Sequence, residues 1–335
     1  WWRTFRRASS RLSAALAPFG VVLMPTGMHP WMDPAREFVR WAHGDAEIYE
    51  AFDRIFDCSG HGWSNLQSTH LNLPFADDEQ FGRLHAAIRL VVPLIPGLAA
   101  SSPISEGRVR AYRDTRLHVY RTNAASVPAV AGMVVPEHAK DRATYDERIL
   151  SPLYHAIAPH DPQGILQYEW LNARGAIARF DRNAIEIRLI DSQECPRMDL
   201  AVAGGISAVV RMLANDPIAS VPDAGPSTRR LSQILRRAVT SAEETAIDDS
   251  AYLAHLGLKG SNTRPLAAVW RELLAKAGAL DSDAPWAREL TLILEQGSLA
   301  TRILEALPKR RTKAEMVDVY RELVKGLAAG SPFEP

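Results

Sequence analysis

The stretch Gly175 to Ala203, GAIARFDRNAIEIRLIDSQECPRMDLAVA, decides the fold. Gly175 to Phe180 and Ala184 to Asp191 read as two strands turning at Asp181-Arg182-Asn183, because β-branched residues alternate on both sides of a turn-forming cluster. Side chains alternate across a strand, so Ile185, Ile187 and Leu189 share one face and Glu186 and Arg188 the other, beside Ala184 and Ile190. From Asp199 onward the apolar period changes to 3.6, with breaks near Pro217 to Pro226, Gly257 to Asn262, Ala279 to Pro285 and Pro308. Strands crowd the first 195 residues and helices fill the rest. That segregation predicts an α+β fold with an antiparallel or mixed sheet, not alternating βαβ units.

Upstream of the hairpin, Asn65 to Leu73 reads as a strand with an entirely polar face, Ser68, His70 and Asn72, opposed to Thr69, Leu71 and Leu73. Such a face is either the wet side of a sheet or a ligand face, since a neutral imidazole is a common metal ligand and a nearby amide can orient a substrate. Glu186 and Arg188 open the same choice. They form either an exposed ion pair with Arg179, worth about 0.2–1 kcal/mol, or a site in which a carboxylate offers Mg2+ a hard oxygen and a guanidinium clamps a transferring phosphoryl group.

The remaining elements follow from local signals. Trp1 to Ala17 reads as an amphipathic helix whose apolar face is Trp2, Phe5, Ser9, Leu12 and Leu16, a reading preferred to a targeting peptide despite its arginines, serines and lack of acid. Gly20 to Met24 reads as a strand running into the turn Pro25-Thr26-Gly27, Met28-His29-Pro30 as a strand end after it, and Asp33 as the N-cap of a helix running from Pro34 to about Phe56. Asp77-Asp78 caps the next helix, which Pro93 and Pro96 kink or end. Gly107 to Asn123 reads as a loop with strand pieces, Thr144 to Ala156 as a helix, and Ile165 to Leu171 as a strand.

Composition bounds the function. The chain has 335 residues, 47% hydrophobic and 23% charged, which suits a folded globular protein. Its 39 basic and 39 acidic side chains cancel, so no overall field points to nucleic acid or to a membrane surface. The basic spots Arg229-Arg230, Arg236-Arg237 and Lys309-Arg310-Arg311 read as solvated helix faces. No apolar window reaches a membrane span. Two cysteines, Cys58 and Cys195, allow neither a disulfide framework nor a zinc site, so a reducing, cytoplasmic setting and buried thiols are expected. There is no Gly-rich phosphate loop.

Four segments in order carry a resemblance. Gly175 to Ala203, MPTGMHP (Met24 to Pro30), QSTHLNL (Gln67 to Leu73) and IPGLAASSPISEG (Ile95 to Gly107) with the arginines through Arg116 resemble the second glutamate-cysteine ligase family, the carboxylate-amine ligases of the glutamine-synthetase superfamily. The likeness continues thinly to GSLATRIL (Gly297 to Leu304). It implies one catalytic domain over residues 1–335, with 1–195 forming the site and 196–335 mostly helical. It also implies an antiparallel sheet curved into a saddle, with ATP and Mg2+ on the concave face and helices outside. The implied reaction joins the γ-carboxyl of glutamate to an amine such as cysteine through an acyl phosphate, a step of glutathione biosynthesis.

Carried over position by position, His70 and Glu186 match metal ligands, and Arg188 matches the arginine beside the transferred phosphoryl group. Arg116 matches an arginine suited to a substrate carboxylate or phosphate, while His29, Asn72, Asp191 and Gln193 match site-lining positions. The implied partners are glutamate, an amine and ATP, with neither nucleic acid nor membrane, and a homodimer is compatible. Two departures qualify this. The family's opening Glu-x-Glu strand is not found before Trp1, which is not an initiator residue, so a processed or partial chain is expected, and Ser68 stands where many relatives have a second histidine. The alternative function is an inactive homologue that binds a ligand or partner on the same fold.

Overall fold

The computed structural model describes every residue except 1, 218, 222–224 and 261, and only the backbone of residues 2 and 3. Its central feature is a three-stranded antiparallel sheet. Strand β1 is Ser68–Pro74, β2 is Ala176–Arg179 and β3 is Ala184–Asp191, with β3 in the middle. The β2–β3 turn falls where the sequence places it, and Asn183 takes the left-handed conformation (φ 49°), which an Asn tolerates better than most residues. Ile185, Ile187 and Leu189 are fully buried.

Helix α1 spans Trp2–Leu16, α2 spans Asp78–Val91, α3 spans Thr115–Tyr120 and α4 spans Pro196–Ala214, and of these α2 and α4 pack against the sheet. Asp77 caps α2 by accepting from the Gln80 backbone N–H, and α2 packs along α4 behind the sheet. Phe75, Phe81, Tyr145 and Phe180 interlock at the β1 end, with ring centroids 5.2–5.9 Å apart. Beyond α4 come helices Thr228–Ser241, Ser250–His255, Leu266–Lys276, Ala287–Gln296, Leu299–Ala306 and Lys313–Ala329, with breaks near those expected. Residues 218, 222–224 and 261 of those breaks lie outside the described residues, as does the Trp2 side chain of the expected α1 face.

Mixed helix and antiparallel sheet meet the α+β class, and the differences are local. The helix expected from Pro34 to Phe56 is two, Pro34–Glu37 and Ala46–Phe56, interrupted around Gly44. Gly20 to Met24 and Ile165 to Leu171 carry strand-like residues but form no ladder, because a strand exists only through a partner. The second ends in a short 3-10 turn, Glu169–Leu171. Helix α3 replaces part of the expected loop, started by Asp114, whose side chain accepts from the Leu117 N–H. Residues 142–157 stay helical past Pro152 by widening into a π-turn over Asp146–Leu150. The first 195 residues therefore hold more helix than strand, although all three strands of the sheet fall there.

Candidate functional site

The β1–β3 ladder contains an irregularity that organises the polar face. Thr69 pairs with Ile190 and Leu71 with Ile187, so two steps on β1 span three on β3. The extra residue on β3 is a bulge, which shifts side-chain parity along that strand. Asn72 stands opposite Glu186 and Ser68 opposite Asp191, and directly opposed residues share a face. Glu186 and Asp191, five positions apart, thus come to one side where strict alternation would separate them.

Side chains then meet across the ladder. His70 Nδ1 lies 3.2 Å from Glu186 Oε1, and Ser68 Oγ lies 3.0 Å from His70 Nε2. Arg188 Nε donates to the same Glu186 oxygen at 2.6 Å, and its Nη1 donates to the Asn172 carbonyl at 3.3 Å. Arg179, the neighbour expected for Glu186, sits 3.8 Å from its Oε2 and spends two closer bonds on Asp181. Burial alone would push Glu186 up. The hydrogen bonds and charges of His70 and Arg188 outweigh it and hold the carboxyl down at about 2, so it is a carboxylate at any neutral pH. His70 is open to solvent, with 42% of its side chain exposed, and Asn72 is exposed beyond it.

Asp191, Arg116 and Gln193, three of the residues expected at the site, are buried beneath this face. Asp191 is fully buried, paired with Arg116, and accepts from the Ser101 N–H at 2.9 Å and the Ser102 hydroxyl at 2.8 Å. Gly27 packs so closely that a Cβ there would come within 2.6 Å of both carboxylate oxygens. Arg116 is itself 2% exposed, and its Nη2 has no partner. The second nearby carboxyl, Asp114, is raised well above its ordinary value by burial and by the neighbouring Asp191. Gln193 donates to the Ala99 and Asp191 carbonyls. These residues brace the floor.

His29 lies on the loop that meets the start of β1, where the Gln67 N–H donates to the Gly27 carbonyl. Asn65, buried, grips that loop by accepting from the His29 N–H at 2.7 Å and donating to the His29 carbonyl at 3.0 Å. Its other amide hydrogen points to His61 Nδ1, whose Nε2 faces Glu106. Burial lowers the His29 pKa, and its ring packs edge-on to Trp31. Among the described residues no contact joins His29 to His70 or Glu186. Asn65, Ser101 and Ser102 were not singled out from sequence. Of these, only the Ser101-Ser102-Pro103 turn carried a visible signal.

A cavity of about 750 Å3 lies elsewhere, behind β1, lined by Leu73, Leu84, Gly205, Ala208, Trp286 and Leu290 among others. Leu73 points away from Asn72, so this cavity and the polar face occupy opposite sides of the sheet. Among the described residues no group of three or more His, Cys, Asp or Glu side chains could hold a metal ion. Glu186 is already balanced by Arg188 and approached by Arg179. His70 and Glu186 are brought together at 3.2 Å, and a divalent ion beside them would need further donors.

Comparison with known proteins agrees with the ordered motifs. The sequence profile of glutamate-cysteine ligase family 2 matches residues 2–324. An uncharacterized protein of Archaeoglobus fulgidus is 32% identical over 310 residues, covering 92% of this chain and 76% of that relative. The chain belongs to glutamate-cysteine ligase family 2.

Proposed function

We propose that the protein is an ATP-dependent, ADP-forming ligase that joins the γ-carboxylate of glutamate to an amine, with cysteine the first amine to test. A carboxylate oxygen is a poor leaving group. Attack of the γ-carboxylate on the terminal phosphorus of ATP releases ADP and gives an acyl phosphate, and attack of the amine nitrogen on the acyl carbon then releases phosphate. The family implies Mg2+ with ATP. The observation that carries the reading is the family match over residues 2–324 together with a pre-oriented cation, Arg188, on the polar face. Its guanidinium is fixed from two directions, so it stabilises developing phosphoryl charge without reorganising.

The assay is ADP release that depends on both glutamate and an amine. Arg188→Lys keeps a charge but loses the planar fork, and a roughly 100-fold fall in turnover is expected. The second reading is a non-catalytic homologue that binds a ligand or partner on the same fold. Glutamate binding without ADP release across a broad amine panel would select it.

A further inference from the structure

We infer that the cavity behind β1 is a binding site for an amphipathic anion, an apolar body that carries a carboxylate or phosphate head, with the body lying along α4 and the head held by Arg211 and Arg83. This goes beyond the ligase reading, which places no ligand on that side of the sheet.

Small residues on α4 shape the cavity. Gly204 and Gly205 let the neighbouring segment press directly onto the helix: a Cβ at Gly204 would come within 2.6 Å of Trp286 Cδ1, and one at Gly205 within 2.9 Å of Leu290 Cδ2. One turn on, Ala208 is too short to fill the space between α4, α2 and that segment, and about 750 Å3 stays open. Small-molecule sites typically occupy about 300–1,000 Å3. Leu73, Leu84, Ala208 and Trp286 border this space and are each only half-buried, so they keep apolar surface in water that a bound apolar body would cover.

The polar groups of the lining set the sign of the ligand. Among the described residues no aspartate or glutamate lines the cavity, whereas Arg83 and Arg211 do. Arg83 commits only Nη1, to Glu79 at 3.0 Å, and Glu79 is 81% exposed. Arg211 is exposed, and among the described residues its guanidinium has no acceptor. Gln80 accepts from the Ala76 N–H through Oε1, which leaves its amide nitrogen to donate, and Asn215 gives one amide hydrogen to the Arg211 carbonyl and keeps the other. Gln80 and Arg83 stand in the first two turns of α2, Arg211 and Asn215 at the C-terminal end of α4, and all four border the same space. Uncompensated N–H donors beside an apolar hollow select a ligand of both characters. A neutral apolar molecule would leave Arg211 unmatched, and a small inorganic anion would leave the lining wet.

The test uses the whole chain with no ATP, metal or amine, so its failure leaves the ligase reading untouched. Decanoate, below its micelle concentration, is titrated by calorimetry beside decyl phosphate, decanol and acetate, and the first two arms tell a carboxylate head from a phosphate head. One decanoate or decyl phosphate per chain is expected, with decanol and acetate weaker by roughly 10-fold or more. Arg211→Glu changes an exposed side chain, so an unchanged melting temperature is expected, together with a loss of anion affinity of roughly 10-fold or more and no change for decanol. Ala208→Phe fills the cavity and should abolish binding of both. A decanoate carrying a photoreactive diazirine should label α4 and residues 284–290. No binding of either anion to the folded chain, decanol bound as tightly as decanoate, anion affinity unchanged by Arg211→Glu, or labelling confined to other segments would overturn the proposal.

Discussion

His70 on the edge strand and Glu186 on the central strand touch through Nδ1 and Oε1 at 3.2 Å, although the ladder between them is broken by a bulge. The bulge makes the contact informative. Without it, Glu186 would face the same side as His70 but Asp191 would not, and the loop bearing Gly27 would have no buried carboxylate to close on. One extra residue in β3 therefore couples the open face to its braced floor.

Glu186 gives the first prediction. Its pKa is held at about 2, below the ordinary 4.5, so its contribution to stability is present above pH 4.5 and is lost as pH falls toward 2. Glu186→Gln removes the charge facing Arg188 and should cost roughly 1–3 kcal/mol at pH 7. The wild-type and variant stabilities, from urea unfolding across pH, should converge as pH falls toward 2.

The floor gives the second. Gly27→Ala would drive a methyl group into Asp191, whose pair with Arg116 is buried on both sides. Destabilisation of about 1–3 kcal/mol is expected from overpacking alone. Arg116→Met, which strands the carboxylate, should cost about 3–5 kcal/mol. Because both act through Asp191, the double variant should lose less than the sum of the two, measured as a double-mutant cycle.

Both cysteines are buried, and burial together with nearby carboxyls pushes each thiol up to about 12. The thiolate is the reactive form. At pH 8 the native protein should react with a disulfide reagent at least roughly 100-fold more slowly than the urea-unfolded chain, which should titrate two thiols. Fast labelling of either cysteine in the native state would contradict the packing described.

Legibility in the sequence followed the range of the interactions. The β2–β3 hairpin was readable because its turn and its alternation lie within about twenty residues, and the placement of His70 and Glu186 on polar faces needed only that alternation. The Gly20 to Met24 segment was misread because a strand needs a ladder partner, which no local pattern can report. Helix α3 was missed because it is six residues long and its Asp114 cap is surrounded by arginines. The bulge, the Ser68–His70 hydrogen bond and the burial of Arg116 and Asp191 depend on register and on contacts distant in sequence. The alternation is therefore legible locally, whereas which of these residues face solvent depends on the folded chain.

Asp199 offers a prediction of opposite sign. It lies in the first turn of α4, where Oδ1 accepts from the Thr69 hydroxyl at 2.7 Å and from the Gln193 N–H at 2.9 Å, tying the helix to the back of β1. Burial, aided by Glu194, outweighs those two bonds and raises its pKa to about 6. A carboxyl raised above its ordinary 3.8 stabilises the fold less as it ionises, so its contribution is intact below pH 3.8 and declines as pH rises through 6. Asp199→Asn keeps Oδ1, and with it both accepted hydrogen bonds, while removing the charge. It forfeits the attraction between a carboxylate and the helix N-terminus, about 0.3–1 kcal/mol, and escapes an ionisation cost on the order of 1–2 kcal/mol after allowing for solvent screening of a half-buried group. The variant should match the wild type at pH 3.5 and exceed it by on the order of 1 kcal/mol at pH 7.5 in urea unfolding. A variant less stable at pH 7.5 would mean that the helix N-terminus supports the carboxylate more strongly than burial opposes it.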